Sequence, residues 1–304
     1  MSNENFQKVV ITGAGGFLGS NLLAALKGKT EYIVYALSSS RKELPQADAR
    51  SNVWFYHKDA IFCDGCDRIL RGAIVVNCAF PRNSIGTEMA DGLRYIQRLF
   101  KQAKEYGAKS IINISSQSVY SQTREEPATE GTPVCLESAY AVGKYATELM
   151  LESVCQGAKI SYTNLRMASL IGPGFDQRIV NRFIKQALSE HSLSVNISKQ
   201  KFGFMDIGDA VSGIIVLLQP NQIFRHTIYN LGTPNGYSLE DLASRICSIA
   251  AKICQLDIHV DFTYLDSNTN TTINCERFYN DFSWRPKISL ETSIEKIINC
   301  EVEK

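Results

Sequence analysis

The sequence predicts an α/β fold, a doubly wound parallel sheet with a smaller C-terminal lobe, and three observations carry that expectation. Short apolar runs alternate with helix-patterned segments along the first two-thirds of the chain. The first run, Val9-Val10-Ile11-Thr12, leads straight into Gly13-Ala14-Gly15-Gly16-Phe17-Leu18-Gly19 and then into a helical pattern, Asn21-Leu22-Leu23-Ala24-Ala25-Leu26. A proline and glycine cluster, Gly172-Pro173-Gly174, marks the departure into the smaller lobe.

Taken in order, the apolar runs place strands near 8–12, 31–37, 53–57, 73–78, 109–115, 160–166 and 227–231. The stretches between them place helices near 17–27, 87–106, 138–156, 177–189, 207–218 and 238–253. Two of these helices are apolar over more than the arc needed to cover a sheet: Leu93, Ile96, Leu99 and Phe100 on the first, Tyr145, Leu149, Met150 and Val154 on the second. An arc that wide is usually buried on two sides. No repeat or low-complexity segment interrupts the pattern.

At 304 residues the chain can bury a sizeable core as one or two domains. A net charge of +1 gives no electrostatic case for nucleic acid or for an anionic membrane, and a small neutral-to-acidic ligand fits better. The opening Met1-Ser2-Asn3-Glu4-Asn5 lacks the basic-then-apolar pattern of a signal, and Gly213-Ile214-Ile215-Val216-Leu217-Leu218 is too short to span a bilayer, so the expected location is cytoplasmic. Nine cysteines, several inside apolar stretches (Cys78, Cys155, Cys247, Cys254), read as reduced thiols. Cys63-Asp64-Gly65-Cys66 stands without a second pair or a histidine cluster, so no metal site is expected. The sequons at Asn113, Asn196 and Asn270 have no consequence in that compartment.

The glycine turn carries the first chemistry. A strand, then glycines, then a helix is the context that a dinucleotide requires: Gly13 for the tight turn, Gly16 for approach of backbone to a pyrophosphate, Gly19 for close packing of helix on strand. The pyrophosphate then lies on the helix N-terminus. At the end of the second strand, Leu37-Ser38-Ser39-Ser40-Arg41-Lys42 offers three hydroxyls and two cations and no acid. An acid there would hold ribose hydroxyls, whereas hydroxyls and cations suit a 2′-phosphate. Ser38, Ser40 and Arg41 are therefore expected to bind NADP, with NAD the other possibility.

Tyr140 and Lys144 stand four apart in Ser-Ala-Tyr-Ala-Val-Gly-Lys, which a helix places on one face, one turn apart. A tyrosine titrates near ~10, so as a general acid or base it needs a neighbouring cation to stabilise its phenolate. Upstream, Ile111-Ile112-Asn113-Ile114-Ser115-Ser116-Gln117-Ser118-Val119-Tyr120 reads as a buried strand ending in hydroxyls. Glycine turn, strand-end serines and Tyr-x-x-x-Lys, in this order and spacing, closely resemble the extended short-chain dehydrogenase/reductase family of nucleotide-sugar epimerases, dehydratases and reductases. Leu165 to Gly174, Tyr229-Asn230-Leu231-Gly232 and Trp284-Arg285-Pro286 look like its later landmarks, so the likeness runs almost end to end.

The resemblance implies a Rossmann-type NAD(P)-binding domain of 1–171 plus 206–231 and a substrate-binding lobe of 172–205 plus 232–304. It implies Ser116 as the active hydroxyl, with Ser118 and Ser115 as the other candidates, Tyr140 as proton donor or acceptor, and Lys144 as the cation that lowers the phenol's pKa and holds the nicotinamide ribose. Cofactor contacts would fall at Gly13, Gly16, Phe17, Leu18, Gly19, Asp59, Ala79, Tyr140 and Lys144, and substrate contacts at Phe80, Ser118, Arg178 and Lys201. The two wide helices would pair with their copies in a homodimer.

Departures from the family pattern shape the functional expectation. Asn77 stands where histidine is common, Phe80 where a small residue usually faces the cofactor, and Met89 where asparagine is usual. Phe202-Gly203-Phe204 and Phe262-Thr263-Tyr264 occupy the places of diphosphate-binding arginines; Lys199, Lys201, Arg178 or Arg182 then substitutes, or the substrate lacks a diphosphate. Gln117-Ser118 replaces the Asp-Glu pair of a 4,6-dehydratase. The NADP-like loop favours a keto-sugar reductase over an epimerase with the same triad. A non-catalytic NADP-sensing regulatory protein is the alternative from another class, and the intact Ser116, Tyr140 and Lys144 argue against it.

Overall fold

A computed structural model describes residues 6–39, 51–82, 84–220 and 222–303. The chain divides into two compact units, each with its own core.

The first unit takes residues 1–119, 136–166 and 214–229. Its strands are β1 (Gln7–Thr12), β2 (Tyr32–Ser38), β3 (Val53–His57), β4 (Ile74–Asn77), β5 (Ser110–Ser116) and β6 (Ser161–Met167), with β10 (Ile228–Leu231) completing a seven-stranded parallel sheet. The order β10-β6-β5-β4-β1-β2-β3 reverses between β1 and β4, and at such a switch point the crevice lies outside the carboxyl ends of the strands. Thr12 is level with both Leu37 and Asn77, so three strands end together there. β1 and β4 are buried on both faces, which explains why they read as unbroken apolar runs rather than as alternation.

Helices α1 (Phe17–Leu26), α2 (Asp67–Leu70), α3 (Gly86–Glu105) and α4 (Ala139–Cys155) belong to this unit. Ile96, Leu99, Phe100 and Ala103 of α3 and Leu151, Val154 and Cys155 of α4 join Val10, Val75 and Ile111 in its core. Each buried side chain of that size contributes about 1.5–3 kcal/mol. Ser138 caps α4 by accepting from the Ala141 N–H at 3.1 Å, which fixes the helix start two residues before Tyr140.

The second unit takes residues 120–135, 167–213 and 230–304. It holds β7 (Ser169–Ile171) paired with β9 (Phe204–Asp206), β8 (Ser192–Lys201) paired in parallel with β11 (His259–Asn270), and helices α5 (Ile179–Glu190), α7 (Leu239–Cys254), α8 (Glu276–Phe282) and α9 (Leu290–Val302). Helix α6 (Ile207–Leu217) starts in it. Val180, Ile184, Leu193, Leu242, Ile294 and Ile298 are among its core residues.

Against the expected 1–171 plus 206–231, residues 120–135, 167–171, 206–213 and 230–231 fall in the second unit, and hydrogen bonds supply the reason at two of these segments. The start of α6 is tied to the C-terminal segment: Asp209 accepts from the Lys287 and Ile288 N–H groups, and Asp206 accepts from the Ser293 hydroxyl at 2.7 Å. Residues 120–135 are tied the same way, with the Ala128 N–H donating to Thr272 O and the Asn274 N–H to Ala128 O.

Candidate active site

The glycine turn folds as its spacing demands. Gly13 has φ +64°, and a Cβ on it would lie 2.7 Å from the Ala79 nitrogen. A Cβ on Gly19 would come within 2.2 Å of the Gly13 carbonyl oxygen, so helix and turn touch backbone to backbone. Gly16 is the N-cap of α1, and no side chain caps that end. Backbone N–H groups at an uncapped helix start, beside a turn that admits no side chain, form a cradle that fits a pyrophosphate. A cavity of about 230 Å³ adjoins it, lined by Gly13, Leu37, Ser39, Lys58, Ala79, Phe80, Pro81, Gly92, Tyr95 and Ile96.

Of the residues expected around the adenosine, Ser38 is buried at the end of β2 and Ser39 is exposed in the cavity wall, while Ser40 and Arg41 lie outside the described residues. Asp59 sits in a 3₁₀ turn, Lys58–Phe62, with its carboxylate 3.3 Å from His57 Nδ1. Its neighbour Lys58 lines the cavity and was not expected; a cation directly before Asp59 was the available signal.

The strand-end serines separate clearly. Ser115 is buried, and its hydroxyl donates to Glu148. Ser118 donates both its hydroxyl, at 2.9 Å, and its N–H, at 3.2 Å, to Ser116 Oγ. Two donors on the Ser116 oxygen direct its own proton away from them; Ser116, at the end of β5, and Ser118 are both half-buried. Among the three candidates, Ser116 has the hydroxyl placed to donate.

Tyr140 is half-buried in the first turn of α4, and Lys144 lies buried one turn further on, its Nζ 5.8 Å from the Tyr140 ring centroid. Lys144 Nζ donates to the Ile114 carbonyl at 2.8 Å, which ties the ammonium to β5 two residues before Ser116. Burial lowers the lysine's pKa; Tyr140, Cys78 and Glu148 oppose that, and Arg82 adds to it.

Two buried polar assemblies support this pair. Glu148, one turn beyond Lys144, is clamped by Arg166 of β6 through contacts of 2.7 to 3.2 Å, with side chains 4% and 3% exposed. The second runs across the sheet. Thr12 Oγ1 donates to Asn77 Oδ1 at 2.7 Å, Asn77 Nδ2 to Asn113 Oδ1 at 2.9 Å, and Asn113 Nδ2 to Asn164 Oδ1 at 2.8 Å and Thr147 Oγ1 at 3.0 Å. Thr147 Oγ1 donates in turn to the Lys144 carbonyl at 2.7 Å. Asn77, unusual by the family pattern, is thus a link between the glycine-turn strand and the helix of the Tyr-Lys pair. Leaving one of these buried amides without its partner costs about 1–3 kcal/mol.

In the second unit, Arg178 is the N-cap residue of α5 with its guanidinium 5.3 Å from the Phe175 ring centroid, and Lys199 and Lys201 are exposed on β8. Phe202 stacks on Phe204 with centroids 6.0 Å apart, and Phe204 on Tyr237 at 6.5 Å, so an aromatic ladder stands where the pattern calls for arginine. Phe262 and Tyr264 are exposed on β11. Among the described residues no cluster of His, Cys, Asp and Glu could hold a metal ion, and no helix is long and apolar enough to cross a membrane.

The model of the NAD dependent epimerase/dehydratase family matches residues 9–232. The chain belongs to this family. It is therefore an extended short-chain dehydrogenase/reductase, the enzyme class that its turn, serines and Tyr-Lys pair resemble. It is 23% identical to UDP-glucuronic acid decarboxylase 1 of Arabidopsis thaliana over 316 residues, covering 96% of this chain and 69% of that one. It is also 23% identical to an uncharacterised UDP-glucose epimerase of Bacillus subtilis, covering 94% and 95% of the two chains. The fold matches that of a UDP-glucuronic acid 4-epimerase from Bacillus cereus in complex with UDP-glucuronic acid and NAD, with TM-score 0.79, 22% identity, and 98% and 99% of the chains covered.

Proposed function

We propose that this enzyme is an NAD-dependent epimerase of nucleotide-linked sugars, oxidising a sugar hydroxyl and returning hydride to the resulting ketone. The observation that carries the reading is Ser116 at the end of β5 beside Tyr140 and Lys144 at the start of α4, in the same unit as a glycine turn whose backbone admits no side chain at Gly13 or Gly19. Bound NAD supplies the hydride acceptor. Ser116 hydrogen-bonds the substrate oxygen, the Lys144 ammonium stabilises the Tyr140 phenolate that takes the hydroxyl proton, and the resulting phenol gives that proton back to the ketone oxygen when hydride returns. Gly13, Gly16, Gly19 and the start of α1 hold the pyrophosphate, with Asp59 and Ala79 near the adenine and nicotinamide ends. Arg178, Arg182, Lys199 and Lys201 take the diphosphate-binding role that Phe202 and Phe262 cannot fill. Incubation with UDP-glucose and UDP-glucuronic acid, with the product followed by proton NMR, tests the reading.

The epimerase reading replaces the expected keto-sugar reductase as the better supported, because the matched fold carries NAD and the relatives are named as epimerases and decarboxylases. The reductase keeps one specific support: the end of β2 offers Ser38 and Ser39 and no acid for ribose hydroxyls. Fluorescence titration of NAD and NADP side by side separates the two. Tighter NAD binding is the expected result. NADP binding tenfold tighter or more would return the assignment to an NADPH-consuming reductase, since charge-assisted bonds to a 2′-phosphate contribute about 1.5–3 kcal/mol each.

A homodimer completes the proposal. Val142 and Leu149 stand seven residues apart on α4 and are 50% and 47% exposed, so the wide apolar arc has a face that the unit's own core leaves uncovered. Light scattering at micromolar protein is expected to give twice 33.9 kDa. A monomer persisting at high concentration would contradict it.

A further inference from the structure

Phe80 is half-buried three residues beyond the end of β4, and its surroundings form a matched set. Its ring meets Tyr140 edge-to-face with centroids 5.3 Å apart, and Lys144 Nζ lies 4.2 Å from its centroid. A Cβ on Gly143 would come within 2.9 Å of Phe80 Cζ and 3.0 Å of Met89 Sδ, so the two bulky departures from the family pattern are seated by one missing side chain on α4. An ammonium over an aromatic face is attracted by the ring quadrupole, most strongly where both are desolvated. Lys144 is buried.

We propose that Phe80 is a positioning residue for the acid–base pair: its ring face seats the Lys144 ammonium and its edge-to-face contact fixes the Tyr140 ring. The inference rests on the acid–base reading of Tyr140 and Lys144 and adds to it a residue outside the triad. The charged and titratable groups facing Lys144 are Tyr140 and Glu148 from α4, Cys78 from the end of β4 and Arg82 from the loop beyond it. The aromatic face joins Tyr140, Cys78 and Glu148 in favouring the charged lysine, against burial and Arg82.

Full-length protein labelled with carbon-13 lysine, with the Lys144 signal assigned through Lys144→Arg, allows the ammonium to be titrated by NMR without substrate. Phe80→Leu keeps an apolar side chain and removes the ring face; a fluorinated phenylalanine at position 80 keeps the shape and withdraws the ring's charge. The expected result is a Lys144 midpoint lower by about one pH unit in Phe80→Leu and by a fraction of that with the fluorinated ring. The basic limb of kcat/KM with the UDP-sugar of the proposed reaction should move down with it. A midpoint unchanged in both variants, or a basic limb that stays while the midpoint moves, would overturn the proposal. Full turnover in Tyr140→Phe would overturn the acid–base reading on which it rests, a result readable apart from either Phe80 variant.

Discussion

Tyr140→Phe should lower turnover on the order of 10²–10⁴-fold while leaving the fold and cofactor affinity intact. The hydroxyl is the only group removed. The ring stays, so the edge-to-face contact with Phe80 at 5.3 Å and the helix start capped by Ser138 should survive. Steady-state kinetics beside a cofactor titration of the same variant checks both halves. Equal loss of turnover and of cofactor binding would mean that the substitution had disturbed the site rather than removed a proton carrier, and unchanged turnover would remove Tyr140 from the mechanism.

The second large effect falls on stability. Glu148→Gln removes the charge of the carboxylate that clamps the buried Arg166 guanidinium, 3% exposed. Breaking one side of such a pair costs about 3–5 kcal/mol. Denaturant unfolding should show that loss, and a Glu148→Leu/Arg166→Met double variant should recover most of it, because an apolar pair of similar volume carries no uncompensated charge. A loss below about 1 kcal/mol, the range of exposed pairs, would contradict the buried clamp.

Where the sequence was legible, burial on both faces made it so. β1, β4 and β5 read as apolar runs because a parallel sheet covered by helices leaves no face for polar alternation. β8 carries a period-two pattern in Leu193, Val195 and Ile197, but beyond the Gly172-Pro173-Gly174 departure into the second lobe, and α9 carries a helical one in Leu290, Ile294, Ile297 and Ile298 behind the Ser289 cap, but in the tail where the strand–helix alternation gave no frame. β11 has no such pattern to read, since Phe262, Tyr264 and Leu265 are all exposed. The four-residue α2 is too short for periodicity.

The site divides in the same way. Tyr140, Lys144 and the glycines are local in sequence, and their spacing alone states their geometry. The clamp of Glu148 by Arg166 is not local: it needs α4 and β6 brought together, and its one signal was a charge near the end of a strand, which has to be paired if buried. The amide chain from Asn77 through Asn113 to Asn164 shows as one asparagine in each of three strands, but only the strand order β4-β5-β6 turns three residues into a connected line. Phe80 and Met89 read in the sequence only as departures from the family pattern, and the space they share beside Gly143 shows in the fold alone.

Epimerisation is tested most directly with a UDP-sugar deuterated at the carbon to be oxidised, the purified enzyme and catalytic NAD. An epimerase removes the deuteride and returns it to the same carbon from the bound cofactor. The expected product is inverted at that carbon, with the deuterium retained and no net change in reduced nicotinamide. One reduced cofactor consumed for each keto-sugar converted, or no conversion with deuterium and configuration both untouched, would contradict it.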